Sequence, residues 1–229
     1  TTPDGALVGM VHCNNCTSEI NAWANLFAQF GELFGMKIKP DELFTKLYSV
    51  ALSGDPDCGG MLSYNYFSGE PVTGFESGAP LFVRSAESKF TLANTMRMHL
   101  YSALAALKVG MDLLLKEEHV TVDKLYGHGG FFKTKEAGQR IAAAAMNAPV
   151  SVMETAGEGG AWGIALLAAY LTEKENGSLG EFLNKRIFAG KEGSERKPDE
   201  KDVEGFEQFM KRYRRGFEAE RAAIRAMTE

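Results

Sequence analysis

Residues 125–150, LYGHGGFFKTKEAGQRIAAAAMNAPV, constrain the fold more than any other stretch of the chain. A short strand reaches Tyr126, a turn occupies Gly127 to Gly130, and a helix runs from about Lys135 to Met146 before Asn147 and Pro149 break it. "VSVM" then reads as a second strand and "AWGIALLAAYL" as a buried helix. Strand, helix, strand, helix in succession argues for an α/β layer. With 229 residues, 45% of them hydrophobic, the chain can bury a real core as one α/β domain.

Upstream of this unit, "LVGMVHC" has strand length, and Ile20, Trp23, Phe27, Phe30 and Phe34 then fall on one helix face. Glu19 in the first turn and Gly35 at the end suit the termini of that helix. A second amphipathic helix begins near Pro40, carries Leu43, Phe44, Leu47, Tyr48 and Ala51 on one side, and stops at Gly54. Residues 54 to 88 are rich in Gly, Pro and Ser and read as long loops with short strands at "MLSYNYF" and "LFV". Leu92, Met96, Leu100, Leu104, Leu107, Met111, Leu114 and Leu115 mark a long buried helix. "AGKEGSERKPDEKD" reads as a linker. After it Val203, Phe206, Met210, Tyr213, Phe217, Ile224 and Met227 form the apolar seam of a surface helix within the charged segment 199–229. The expected division is a domain over 1–190 and a charged linker with its amphipathic helix over 191–229.

The net charge of −5 and the pI near 5.5 leave no basic stripe for neutralising phosphates, which argues against nucleic acid. No stretch approaches about 18 uninterrupted apolar residues, and the N-terminal residues show neither a basic flank nor an apolar signal core. A soluble, cytoplasmic protein is expected. Three cysteines do not make a disulfide framework. Cys13 and Cys16 in "HCNNC" have the spacing to clamp a metal ion or act as thiols, with buried structural cysteines as the default. Asp55 and Asp57 in "SGDPDCGG" fit either a Mg²⁺ loop or a plain turn, and the turn is the commoner use. His128 lies beside the glycine turn, more as a hydrogen-bonding residue than as a base. The turn itself suits close backbone approach to a ligand, although no Gly-Lys-Ser/Thr follows it and Phe132 stands where a third glycine of the dinucleotide fingerprint would fall. No Ser-His-Asp or Cys-His set emerges from the order of residues.

Three stretches together resemble the C-terminal domain of the FGGY family of carbohydrate kinases, which includes xylulokinase, ribulokinase and glycerol kinase. They are LYGHGGFFKTKEAGQRIAAAAMNAPV, similar to the family's adenosine motif; ETAGEGGAWGIALLAAYL, similar to its Gly-Ala-rich helix; and GGMLSYNYFSGEPV with FTLANTMRMHLYSALAAL, similar to its "sGE" segment and Arg-bearing helix, here Arg97. Order and spacing match over roughly residues 5 to 172. The resemblance implies a ribonuclease-H-like, actin-like ATPase domain, a mixed sheet flanked by helices and truncated at its N-terminal strands. Adenine nucleotide would lie in a cleft between two such domains.

Carried over residue by residue, Gly130 would lie against the nucleotide, Gly129 would shape the turn, and Thr134 would stand near the base. Gly163 would let its helix approach the adenine region. Where the family helix carries a glycine and a glutamine one turn apart, this chain has Ser18 and Ala22, with Asn21 as the substitute. The implied reaction is ATP- and Mg²⁺-dependent phosphorylation of a sugar hydroxyl, on a pentulose or related polyol. The catalytic Asp and most sugar-binding residues belong to the family's N-terminal domain, which is absent here, so the chain alone is expected to be inactive. A homodimer through an unpaired sheet edge is a further expectation. The alternative is a non-catalytic nucleotide-sensing or interaction module on the same fold, which the departures at Ser18, Ala22 and "FFKTK" favour.

Overall fold

The computed structural model describes residues 1–134, 136–153, 159–190 and 193–228. Strand β3 (Leu125–Tyr126), helix α4 (Ala137–Met146) and strand β4 (Val150–Val152) form the strand–helix–strand unit expected from the sequence. β3 and β4 run parallel, with Leu125 opposite Val150 and Tyr126 opposite Ser151. A third strand, β5 (Ser194–Arg196), pairs antiparallel with β4, so the sheet is mixed, in the order β3-β4-β5. β5 arises from within the charged stretch that reads as a linker. Its place is fixed by Gln139 of α4, a buried amide that donates to the carbonyls of Val150 and Ser194 at 3.1 and 2.7 Å and accepts from the Ser194 hydroxyl. Such long-range pairing leaves no local signature in a sequence dominated by Lys, Glu, Gly and Ser.

The alanine run makes α4 thin enough to lie close to its neighbours, and Asn147 ends it in the left-handed conformation (φ 49°) that Asn tolerates. α4 packs on helix α3 (Leu92–Asp112), the axis of the core, whose N-cap Thr91 accepts from the Asn94 amide. The Leu92–Glu117 helical stretch has the length and apolar content to cross a membrane, but 61% of that window is buried inside the fold, as for a core helix. Helices α1 (Ser18–Leu33) and α2 (Pro40–Ala51) lie against α3, and a small antiparallel pair, β1 (Leu62–Tyr64) with β2 (Leu81–Val83), covers part of it.

The C-terminal seam packs back on the domain, as its amphipathic spacing suggests, but as two helices, α7 (Glu200–Arg215) and α8 (Phe217–Thr228), and Phe206, Phe209, Met210 and Tyr213 of α7 are wholly buried. Tyr101 of α3 meets the Phe206 ring edge-on at 4.7 Å. Gly205 lets α7 come this close, because a Cβ there would run into the backbone of Pro56. Conversely, α5 (Gly159–Leu171) buries only Leu166 among its residues, and its Leu171 is 73% exposed. The short helix α6 (Leu179–Phe182) meets it only near its end, where Tyr170 packs on the Phe182 ring at 5.6 Å. "LVGMVHC" forms no strand, and no described strand lies beside it to complete a ladder.

Candidate functional site

The start of α1 is held by a backbone clasp that the sequence did not announce. The amides of Asn14 and Asn15 both donate to the carboxylate of Glu70, which is completely buried, at 3.0 Å. Asn15 Oδ1 in turn accepts from the amides of Phe67 and Ser68 at 2.9 and 3.2 Å, and Asn65 Nδ2 donates to the Cys16 carbonyl at 2.8 Å. "HCNNC" and "SGE" are therefore two halves of one joint. The Cys13 thiol is unsuited to nucleophilic work, because burial, with the Glu70 charge behind it, pushes its pKa up to about 11. Asp55 and Asp57 are also structural. Asp55 pairs with Lys89 and Asn94, and Asp57 pairs with Arg212 and caps the turn at Gly59.

With α1 so anchored, its first turn faces the glycine turn across a cleft of about 560 Å³. Thr17 and Asn21 line it from α1, and Gly130, Lys133 and Thr134 from the turn. Gly129 adopts φ 94°, ψ −176°, a conformation that needs glycine, and opens the 3₁₀ turn Gly130–Phe132. Gly127 is glycine for packing, since a Cβ there would meet the Phe132 ring at 2.7 Å. Gly130 differs from both. Its φ is not positive, and a Cβ built on it would meet nothing within 4 Å, so neither its conformation nor the fold requires a glycine. Its bare backbone faces open space in the cleft.

Neither phenylalanine of "FFKTK" lines the cleft. Phe131 is buried, packed edge-on against Tyr48 at 6.0 Å, and Phe132 sits against Phe131 at 5.3 Å. The third wall is α2, which contributes Asp41, Phe44, Thr45 and Tyr48. By spacing alone the apolar members of this face read as core. Their i, i+3, i+4, i+7 spacing with two polar residues was the available signal.

Of the residues singled out from the sequence, Asn21, Gly130 and Thr134 thus share one cleft, with Gly129 next to it in the turn and Ser18 next to Thr17 at the start of α1. Gly163 lies on α5 and lines no part of it. His128 is exposed beside the turn, with its ring close to Gly159, where a Cβ would meet it at 2.5 Å. Lys135 and the Glu154–Glu158 part of the ETAGE segment lie outside the described residues. A second recess of about 630 Å³, between α5 and residues 3–4, is larger but mostly hydrocarbon-lined and holds none of the residues singled out.

Residues 1–172 match the FGGY family of carbohydrate kinases, C-terminal domain. Among solved structures, the chain is similar to a xylulose kinase from Rhodospirillum rubrum (16% identity, TM-score 0.66) and a ligand-bound xylulose kinase from Lactobacillus acidophilus (19%, 0.66), covering 90% of this chain and 38% of each of those. A Plasmodium falciparum glycerol kinase with ADP is similar at 17% identity and TM-score 0.55, over 82% of this chain and 36% of that one. At these identities the likeness concerns the fold, and the chain spans under two-fifths of the length of these structures. No curated protein sequence gives a significant match. A mixed sheet flanked by helices, a glycine turn opening on a polar cleft and a family match over three-quarters of the sequence converge: the chain belongs to the FGGY family of carbohydrate kinases and carries its C-terminal domain.

Proposed function

We propose that this chain is the nucleotide-holding domain of a sugar kinase, forming the adenosine-side wall of a cleft in which the γ-phosphate of ATP passes to a hydroxyl of a pentulose or related polyol. The observation that carries the reading is Gly130, a glycine that neither local conformation nor packing demands, placed where its backbone meets open cleft. A missing side chain there serves a ligand, not the fold. Thr134 and Asn21 supply polar groups on either side of it, Gly129 sets the turn, and Ser18 stands beside the cleft in the first turn of α1.

Among the described residues no three His, Cys, Asp or Glu side chains group to hold a metal, so Mg²⁺ would arrive with the nucleotide phosphates, whose charge it neutralises. The work of this chain is to bind and orient. Base catalysis falls to an Asp of the family's N-terminal domain, and the chain by itself is expected to phosphorylate no sugar. In the same reading the protein is cytoplasmic, and the β3 edge, unpaired among the described residues, favours a homodimer that light scattering across concentrations would detect.

Calorimetric titration with Mg·ATP and Mg·ADP, repeated on Gly130→Leu, tests the central claim. Saturable binding that the leucine abolishes is the expected result. Equal binding by both proteins, or binding by neither, would overturn it.

A further inference from the structure

We infer that Asp41 reads the nucleobase, selecting a base that presents an amino group over one that presents a carbonyl at the same position. The inference rests on the reading of the cleft as a nucleotide site and adds its specificity. Asp41, Phe44, Thr45 and Tyr48 form one face of α2 and all line the cleft opposite the glycine turn. A planar base needs a flat apolar surface and a few edge partners. Phe44 supplies the surface, backed by the buried Tyr48. Tyr48 is buried and held between Phe44 at 6.5 Å and Phe131 at 6.0 Å, so this wall is fixed before any ligand arrives.

Two polar residues on α2, Thr45 and Asp41, present acceptors to the cleft. Thr45 donates its hydroxyl hydrogen to the Asp41 backbone carbonyl at 2.7 Å, which leaves its oxygen to face the cleft as an acceptor. The Asp41 carboxylate makes no hydrogen bond or ion pair among the described residues. It carries unused acceptor capacity at the mouth of the site. An exocyclic amine, as on adenine, satisfies such a pair. Hypoxanthine, identical in shape, sets a carbonyl oxygen there and faces the carboxylate acceptor to acceptor. Asp41 also favours the start of α2 by its charge, but that role would affect every ligand alike.

The test titrates the chain, Asp41→Asn and Gly130→Leu with Mg·ATP and with Mg·ITP. The unaltered chain should bind ATP about tenfold more tightly than ITP, the effect of one charge-assisted hydrogen bond at a partly solvated site. Asn presents an amide that can turn either donor or acceptor, so Asp41→Asn should compress the ratio to within about twofold. A purely structural role for Asp41 would weaken both ligands and leave their ratio unchanged, which overturns the inference. So does equal binding of ATP and ITP by the unaltered chain. In either of those cases, loss of both ligands in Gly130→Leu shows that the nucleotide reading of the cleft itself survives. Failure of the unaltered chain to bind either nucleotide removes both.

Discussion

Glu220 offers the sharpest test of the tertiary structure. It lies on α8, fully buried, with one carboxylate oxygen accepting from the Ala79 amide at 3.1 Å and the other without a hydrogen-bond partner. The adjacent Arg221 does not compensate it, because that guanidinium pairs with Glu218 at 2.9 Å and lies over the Phe75 ring at 4.9 Å. The hydroxyl-bearing rings near it, Tyr64 and Tyr66, bring no positive charge. Desolvation therefore dominates the single backbone hydrogen bond and raises the Glu220 pKa from 4.5 to about 7.

Because the folded protein holds a proton that the unfolded chain releases, stability is full below pH 4.5 and falls as the pH rises towards 7. A displacement of that size corresponds to about 3 kcal/mol, and local relaxation around the ionised carboxylate brings the expectation to about 2 kcal/mol. Glu220→Gln keeps the shape and the acceptor for Ala79 but never ionises. It should match the unaltered chain near pH 4.5 and exceed it at pH 8 by about 2 kcal/mol, or roughly 4–8 °C in Tm for a domain of this size. Urea unfolding of both proteins across this range gives the difference directly. The ring of His99, which burial holds neutral down to about pH 3, and the paired carboxylates contribute to both proteins and cancel. A difference that does not change with pH, or a glutamine variant less stable at pH 8, would refute the reasoning.

Two further substitutions probe how α7 is seated. Gly205→Ala places a methyl group against the Pro56 backbone and should cost about 2–3 kcal/mol in equilibrium unfolding, whereas an alanine on an exposed helix would stabilise. Asp202→Asn removes the partner of Arg97, whose buried guanidinium donates to it at 2.7 Å, and should cost about 3 kcal/mol by the same measurement. Replacing both members with apolar residues of similar size should recover much of that loss.

Much of the local structure was legible because its signals act within one or two turns. Periodicity places α1 to α4, Pro40 starts α2, Asn147 ends α4, and a strand, a glycine turn and a helix appear in the order read from residues 125–150. The family was legible too, since the glycine turn, the "SGE" segment and the Gly-Ala-rich helix are each contiguous. Half of the cleft lining was legible the same way, as Gly130 and Thr134 sit in the glycine-turn stretch and Asn21 on the helix that starts at Ser18. The α2 wall was not, because Phe44 and Tyr48 suit a core as well as a ligand, and only their position opposite Gly130 separates the two uses.

What the sequence by itself determined is thus the set of elements, their caps, the α/β class and the membership of a kinase family. The tertiary structure alone decided which surfaces became interior. α7, among the most charged segments of the chain, buries four large side chains because α3 and β1 converge on its seam, while the far more apolar α5 stays largely open because the short α6 meets it only near its end. Asn15 meets Glu70 across 55 residues and Arg97 meets Asp202 across 105. Hydrophobicity states what a segment gains from burial, but burial needs a second surface, and that surface is supplied by residues whose separation along the chain no local pattern encodes.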